Sequence, residues 1–332
     1  MTLSRRATVS TLIALSALGL AAGCGSAATS APSSGPAAGP GAPAEPGSPS
    51  TPAKPGAPAE PTADPVPAAI PVLSSFAVDK DVAPDFSCVG QSLPVSSAPV
   101  APHEFHLVEL GGQDSDRVGG VKVELFYGND PSTVADVTAT SKTKSDGDKK
   151  NIGVFEASTP QGFVAFHIPK SEGFVDTTAL DFDVRGEGPF LPTAAANGRV
   201  DALSILIGGS SYTPAAGAGR IVVRAVDCKG NTLVNAHVAL EVDGAVTAIA
   251  SGSTDPGVRR SYFSDTELPG TSKWTSRSGV VAFLDVPTGK SLRLVVRGKV
   301  DGANVATVIA MRKIPVVADG IVTTKLSPFT TK

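Results

Sequence analysis

The clearest pattern in the chain is apolar and polar residues alternating with period two. Val121, Val123 and Leu125 alternate with Lys122 and Glu124, and Val238, Leu240 and Val242 with His237, Ala239 and Glu241. Leu292, Leu294 and Val296 are interleaved with charged Arg293 and followed by Arg297. A strand places successive side chains on opposite faces, so this pattern predicts strands with one buried face. Turn chemistry separates them: Gly111-Gly112, Asp146-Gly147, Lys229-Gly230-Asn231, Asp243-Gly244, Asp301-Gly302 and Asp319-Gly320. Many short strands joined by Gly and Asp turns predict an all-β fold of antiparallel sandwiches.

Three blocks recur in the same order at a spacing of about 115–117 residues, which predicts duplication of one domain. Phe105–Leu110 aligns with Ile221–Val226, Gly120–Leu125 with Asn235–Leu240, and Gly162–Phe166 with Gly279–Phe283. Between the two copies the period changes. Val200, Leu203 and Ile207 recur at helical spacing and Gly208-Gly209 closes the run, so a short helix is predicted over 197–208, capping a sandwich or covering the seam. Tyr212 to Gly219 reads as a hinge.

The N-terminal part follows neither period. Arg5 and Arg6 precede an uncharged, mostly apolar run, Ala7 to Leu20, which is too short to span a bilayer as a mature helix. Leu20-Ala21-Ala22-Gly23-Cys24 resembles a bacterial lipobox, with Ala21 where the family prefers Leu. The resemblance implies a signal peptide over 1–23 and a lipidated Cys24 as the mature N-terminus. Several acyl chains, each buried CH₂ contributing roughly 0.8 kcal/mol, would suffice for stable anchoring. Gly25 follows the cysteine, where Asp marks inner-membrane retention in similar Gram-negative lipoproteins, so outer-membrane placement is implied for such a host. The general secretory route is expected, because Thr8 stands where a twin-arginine signal usually has an apolar residue.

From Cys24 to residue 70 the chain is rich in Pro, Ala, Gly and Ser, with about a dozen prolines. Such a segment cannot bury enough surface to offset the entropy of ordering, and proline favours extended polyproline-II stretches. PGAPAEP occurs twice, at 40–46 and 55–61, as suits a spacer. Fully extended, about 46 residues would reach at most ~140 Å. The expected organisation is a signal over 1–23, a disordered tether over 24–70, a first sandwich over 71–195, helix and hinge over 196–218, and a second sandwich over 219–332.

The net charge of −3 gives no reason to expect a nucleic-acid partner. Of three cysteines, Cys88 and Cys228 remain once Cys24 carries lipid. In an oxidising compartment they either pair as a disulfide, closing a loop of about 140 residues, or stay as two separate buried thiols.

Asp227 to Leu240 resembles the first two strands of carboxypeptidase regulatory-like domains. Thr275 to Gly289, which reads TSRSGVVAFLDVPTG, is similar to a later glycine, aromatic and V-P-x-G run of that family. The likeness covers 219–330 and, more weakly, 102–192. Thr232, Asn235, Ser276 and Val281 depart from the family pattern, and both copies carry long insertions, at about 129–160 and 246–274. The resemblance implies a transthyretin-like or Ig-like sandwich in which the motif residues are structural and none is catalytic.

The side chains with chemical potential point the same way. His103 and His106 fall on opposite faces of a strand, which favours ordinary polar positions over a zinc pair. His237 belongs to the outward set of its strand and is expected to be solvated. Asp79 and Asp81 begin like a calcium loop, but Ala83 and Pro84 interrupt it. No G-x-S-x-G elbow or Gly-rich nucleotide loop occurs. A non-enzymatic protein without cofactor or metal is expected. The candidate ligand-binding residues are Tyr262, Phe263 and Trp274, with Arg259, Arg260 and Lys273 nearby; aromatic faces there could stack on sugar rings, or the same rings could pack inward. The functional expectation is a lipid-anchored protein in adhesion, scaffolding or envelope binding, with membrane lipid as partner through acylated Cys24. Envelope polysaccharide or another surface protein is a further partner. A carbohydrate-binding module using the aromatic loop is the alternative.

Overall fold

The computed structural model describes residues 64–96, 99, 101–143, 151–250 and 257–330. The signal segment, Cys24 and the spacer up to residue 63 lie outside the described residues. What is described is nearly all β. In the N-terminal half the strands are β1 (Ser74–Ala77), β2 (Lys80–Val82), β3 (Ala101–His106), β4 (Val108–Glu109), β5 (Lys122–Phe126), β6 (Val137–Thr140), β7 (Val154–Thr159), β8 (Phe163–Ile168), β9 (Thr177–Asp183) and β10 (Thr193–Ala194). Helix α1 (Asn197–Gly208) follows. The C-terminal half holds β11 (Gly219–Ala225), β12 (Thr232–Val234), β13 (His237–Val242), β14 (Ala245–Val246), β15 (Arg259–Phe263), β16 (Pro269–Gly270), β17 (Val280–Val286), β18 (Leu292–Gly298), β19 (Thr307–Lys313) and β20 (Ile321–Leu326).

In the C-terminal half, β14-β13-β18-β19 form one layer and β16-β15-β17-β11-β20 face it. Ile221, Val223, Tyr262, Phe283, Leu240, Leu294 and Val296 fill the space between. The unbroken apolar run Val280–Leu284 reads as a central strand covered on both sides, and all five residues are buried. Gly279 introduces that strand at positive φ, and a Cβ there would overlap the Thr232 side chain. In the N-terminal half, β3 and β7 lie over β5, β8 and β9, with Phe105, Val123, Leu125, Phe155, Val164 and Phe166 between them. Phe105 stacks on Phe155 at 5.1 Å and meets Phe166 edge-on at 5.5 Å.

One sheet serves both halves. Its order is β16-β15-β17-β11-β20-β9-β8-β5-β6, and β20 is the shared strand, parallel to β11 on one side and to β9 on the other. Helix α1 forms over 197–208 as its spacing predicts. Its buried Val200 and Leu203 pack with Val222, Phe263, Val280, Ala282 and Ile321, so it covers the outer face of the shared sheet. Ser204 also points inward and donates to the Val200 carbonyl at 2.8 Å, while Ile205 and Leu206 face solvent.

Two features depart from the sequence reading. Residues aligned as repeats take different partners: β11 pairs with β17, whereas β3 pairs with β7; β5 pairs with β8, whereas β13 pairs with β18. Alternation identifies a strand but not its neighbour. Residues 64–93, grouped from composition and position with the spacer and the first half, lie instead against the second half. Leu73 joins the core of that half, and β1 pairs with β12.

Beside the shared strand lies a buried polar group. Asp181 of β9, at positive φ, accepts from Asn129 Nδ2 at 2.6 Å and Thr324 Oγ1 at 2.9 Å and pairs with Arg312 of β19 at 3.1 Å. Burial raises its pKa, against the opposing pull of Arg312 and the two hydrogen bonds. Asp181→Ala would leave Arg312 buried without its counter-charge and should cost about 3–5 kcal/mol in urea denaturation; adding Arg312→Met should recover most of that.

Candidate functional site

The most elaborated polar site among the described residues is the junction where the chain leaves the spacer and meets the second half. It is built around the turn after β11. Asp227 is buried, and its carboxylate accepts from the backbone N–H of Lys229 and Asn231, both at 2.9 Å, as an Asp-led turn requires. The same carboxylate takes Ser75 Oγ at 2.8 Å and Asn231 Nδ2 at 3.1 Å, so one side chain closes the turn and holds β1. The next residue, Cys228, is disulfide-bonded to Cys88 with Cα atoms 5.6 Å apart. The pairing expected from cysteine arithmetic is present, and it ties the N-terminal segment to the second half.

A second cluster sits where the described chain begins. Asp64 forms a two-pronged ion pair with Arg260, one prong being Nη2 to Oδ1 at 3.0 Å, and its carboxylate lies 3.5 Å from His237 Nε2. Burial pushes the Asp64 carboxyl up, but hydrogen bonds from His237 and Arg260 and the Arg260 charge outweigh it and hold it below the ordinary aspartate value. Arg260 also donates to the Val238 carbonyl at 2.9 Å and lies over the Tyr262 ring. His237 was expected to be solvated; it is fully buried, because Asp64 and Arg260 cover the face of β13 that period-two reading assigns to water.

The aromatic candidates do not converge. Tyr262 and Phe263 are adjacent on β15 and therefore point to opposite faces. Tyr262 lies in the core between the two layers, its hydroxyl accepting from Val238 N–H at 3.0 Å; Phe263 lies under α1. Both are at most 2% exposed, so neither offers a face to a sugar ring, which corrects the aromatic-loop reading. Trp274 is half-buried on the loop before β17, beside exposed Lys273.

Of the other histidines, His103 packs edge-on against Phe190. His106 is buried between Glu104 and Asp114, each at 2.6 Å. Asp81 pairs with Arg277 at 2.8 Å rather than forming part of a loop of oxygen ligands. Among the described residues no three His, Cys, Asp or Glu side chains are grouped to hold a metal ion. No described helix is long and apolar enough to cross a membrane. A shallow cavity of about 490 Å³ lies between β3 and the 186–189 loop, lined in part by His103, Glu104 and Glu187.

His167 on β8 lies between Glu124 at 2.8 Å and Asp176 at 3.0 Å, a contact no sequence motif announced. The Asp176 hydrogen bond raises its pKa, with burial opposing and Glu124 adding to the rise.

No family model matches the chain, and no curated relative matches it. Among solved structures it is similar to the Bacillus anthracis TIE protein, at 11% identity over 68% of this chain and 34% of that one, with a TM-score of 0.20. It is also similar to a streptococcal ancillary pilin, at 12% identity over 68% of both chains and a TM-score of 0.19. A third is BcpA, the major pilin subunit of Bacillus cereus, at 9% identity over 68% of this chain and 69% of that one, with a TM-score of 0.20. The chain spans about a third of the TIE protein's length. Overlap this small defines neither topology nor role.

Two measurements check this site. Peptide mapping of unreduced protein should recover one species joining the Cys88 and Cys228 peptides, absent after reduction. The His167 contribution to stability should be complete below the ordinary histidine value of about 6.5 and fade as pH rises through the elevated folded value. Thermal unfolding against pH should therefore show an alkaline-side decline that is flattened in His167→Gln.

Proposed function

We propose that this chain is a non-enzymatic lipoprotein of the cell envelope, anchored through acylated Cys24 and holding its folded part away from the membrane on the Pro-rich spacer. Where the host is Gram-negative, the residue after the cysteine favours the outer membrane. The folded part serves as an adhesion, scaffolding or envelope-binding module, with the two halves as its sandwich heads. The resemblance of 219–330 to carboxypeptidase regulatory-like domains agrees with a structural role for that half.

The observation that carries this reading is the junction. The Pro-rich composition gives way, within the first described residues, to a segment fastened by a buried ion pair, a short ladder and a disulfide. A spacer needs a fixed point on its cargo, and the Cys88–Cys228 disulfide supplies one. The disulfide also agrees with an oxidising, extracytoplasmic location.

Fractionation tests the anchor. The wild-type chain expressed with its signal should incorporate labelled palmitate and sediment with membranes, whereas Cys24→Ser should lose the label and move to the soluble fraction. A wild-type protein without acyl label, or equally soluble in both forms, overturns the reading.

A further inference from the structure

We propose that residues 64–87 form a releasable strap, a segment that detaches from the second half as a unit while the Cys88–Cys228 bond stops the opening from spreading. The structural claim stands on the contacts alone; its use as reserve length rests on the tether reading above.

The strap is thinly held. From 64 to 87 only Ile70, Leu73 and Ser75 are buried. Its ladder contacts are short: β1 meets β12 over three residue pairs, and β2 meets β1 over three more. Both belong to a small sheet separate from the two large layers. A segment with few buried apolar side chains opens at lower free energy than the core it rests on. By contrast, β11 and β17 lie in the interior of the nine-stranded sheet, and their residues fill the main core.

The attachments are also arranged in series. Asp64 clasps Arg260 and His237 at the N-terminal end. Leu73 then sits where Gly298 has no side chain, and its N–H donates to the Lys299 carbonyl at 2.8 Å. Ser75 meets Asp227, Asp81 meets Arg277, and last comes the covalent bond at Cys88. Load arriving from the N-terminal side would meet the described contacts in this order, beginning at Asp64, so that the strap opens from that end. The disulfide cannot peel. It holds residue 88 to the turn after β11, and the following residues are fixed separately by Leu93 N–H donating to the Thr330 carbonyl at 3.0 Å.

Release would convert a docked segment into spacer. About 24 residues at up to ~3.4 Å each span at most roughly 80 Å when extended, less the distance they already bridge when docked, and their release withdraws Leu73 and Phe86 from the main core but unpairs no strand of the two large layers. Asp64 is the trigger contact, because its ion pair is the first of the described contacts from the N-terminal side and lies in a site shielded from water.

Hydrogen exchange on the full, unreduced chain, followed by mass spectrometry, tests this. In the wild type, 65–87 should exchange through an opening that leaves β11, β13 and β17 protected. Asp64→Asn, which removes the clasp charge, should accelerate exchange over 65–82 about tenfold. Gly298→Ala, which displaces Leu73 without altering the strap's own sequence, should do the same. In both variants β11 and β17 should be unchanged. Reduction of the disulfide should extend the fast region beyond residue 88. The proposal is overturned if 65–87 exchanges at the rate of β11 and β17, if both variants leave it unchanged, if either accelerates all segments together, or if reduction does not move the boundary. None of these outcomes depends on acylation, so a strap that opens in a chain lacking lipid would retain the device while removing the anchor.

Discussion

The architecture depends on the backbone pairing of β20. This strand comes last in the chain, yet it lies in the middle of the largest sheet, parallel to β11 and to β9. Parallel neighbours cannot be joined by a tight turn, so both pairings require long connections, and the chain supplies them by threading each half before β20 arrives. The ladder with β9 and the buried Asp181 group fasten the halves together, and the two groups of core side chains on either side are consequences of that seam. Contacts so distant in sequence carry a large loop-closure cost, which slows formation of the large sheet.

Charge follows a related logic. Asp181 with Arg312 and Asp64 with Arg260 are buried pairings between residues far apart in sequence, and His167 lies part-buried between Glu124 and Asp176. Such pairs contribute less to net stability than to specificity: a misregistered strand would leave an unpaired charge inside. Arg312 has a further effect. It points inward from β19, the edge strand of the four-stranded layer, where the ladder to β18 is also interrupted by a register shift. An inward charge and an irregular ladder discourage another chain from adding to that edge.

Much of this fold was legible in the residues because its signals are local. Val123 and Leu125, Leu240, and Leu294 with Val296 all face cores as their alternation requires. The helix over 197–208 was legible because three apolar residues and a closing glycine pair mark a change of period. Strand partners were not, because alternation is the same whatever lies alongside; aligned blocks therefore suggested equivalent neighbours that the sheet does not provide. At the candidate site, Cys88 and Cys228 could be paired by counting, whereas His237 could not be placed. Its burial depends on Asp64 and Arg260, 173 and 23 residues away respectively, and Asp64 lies in a stretch whose composition reads as spacer. At Tyr262 and Phe263 two readings were open, and the structure takes the inward one; polar and cationic neighbours gave the loop reading its appeal, although the strand is buried.

The last described residue has a geometric consequence. Thr330 lies alongside Ser92 and exchanges backbone hydrogen bonds with Gln91 and Leu93, a few positions from the bonded Cys88. The C-terminal end of the described body is thus clipped to residues 91–93, just past the bonded Cys88. Anything grafted after residue 330 would start beside residues 91–93 and the disulfide, on the part of the N-terminal segment that is held covalently to the turn after β11.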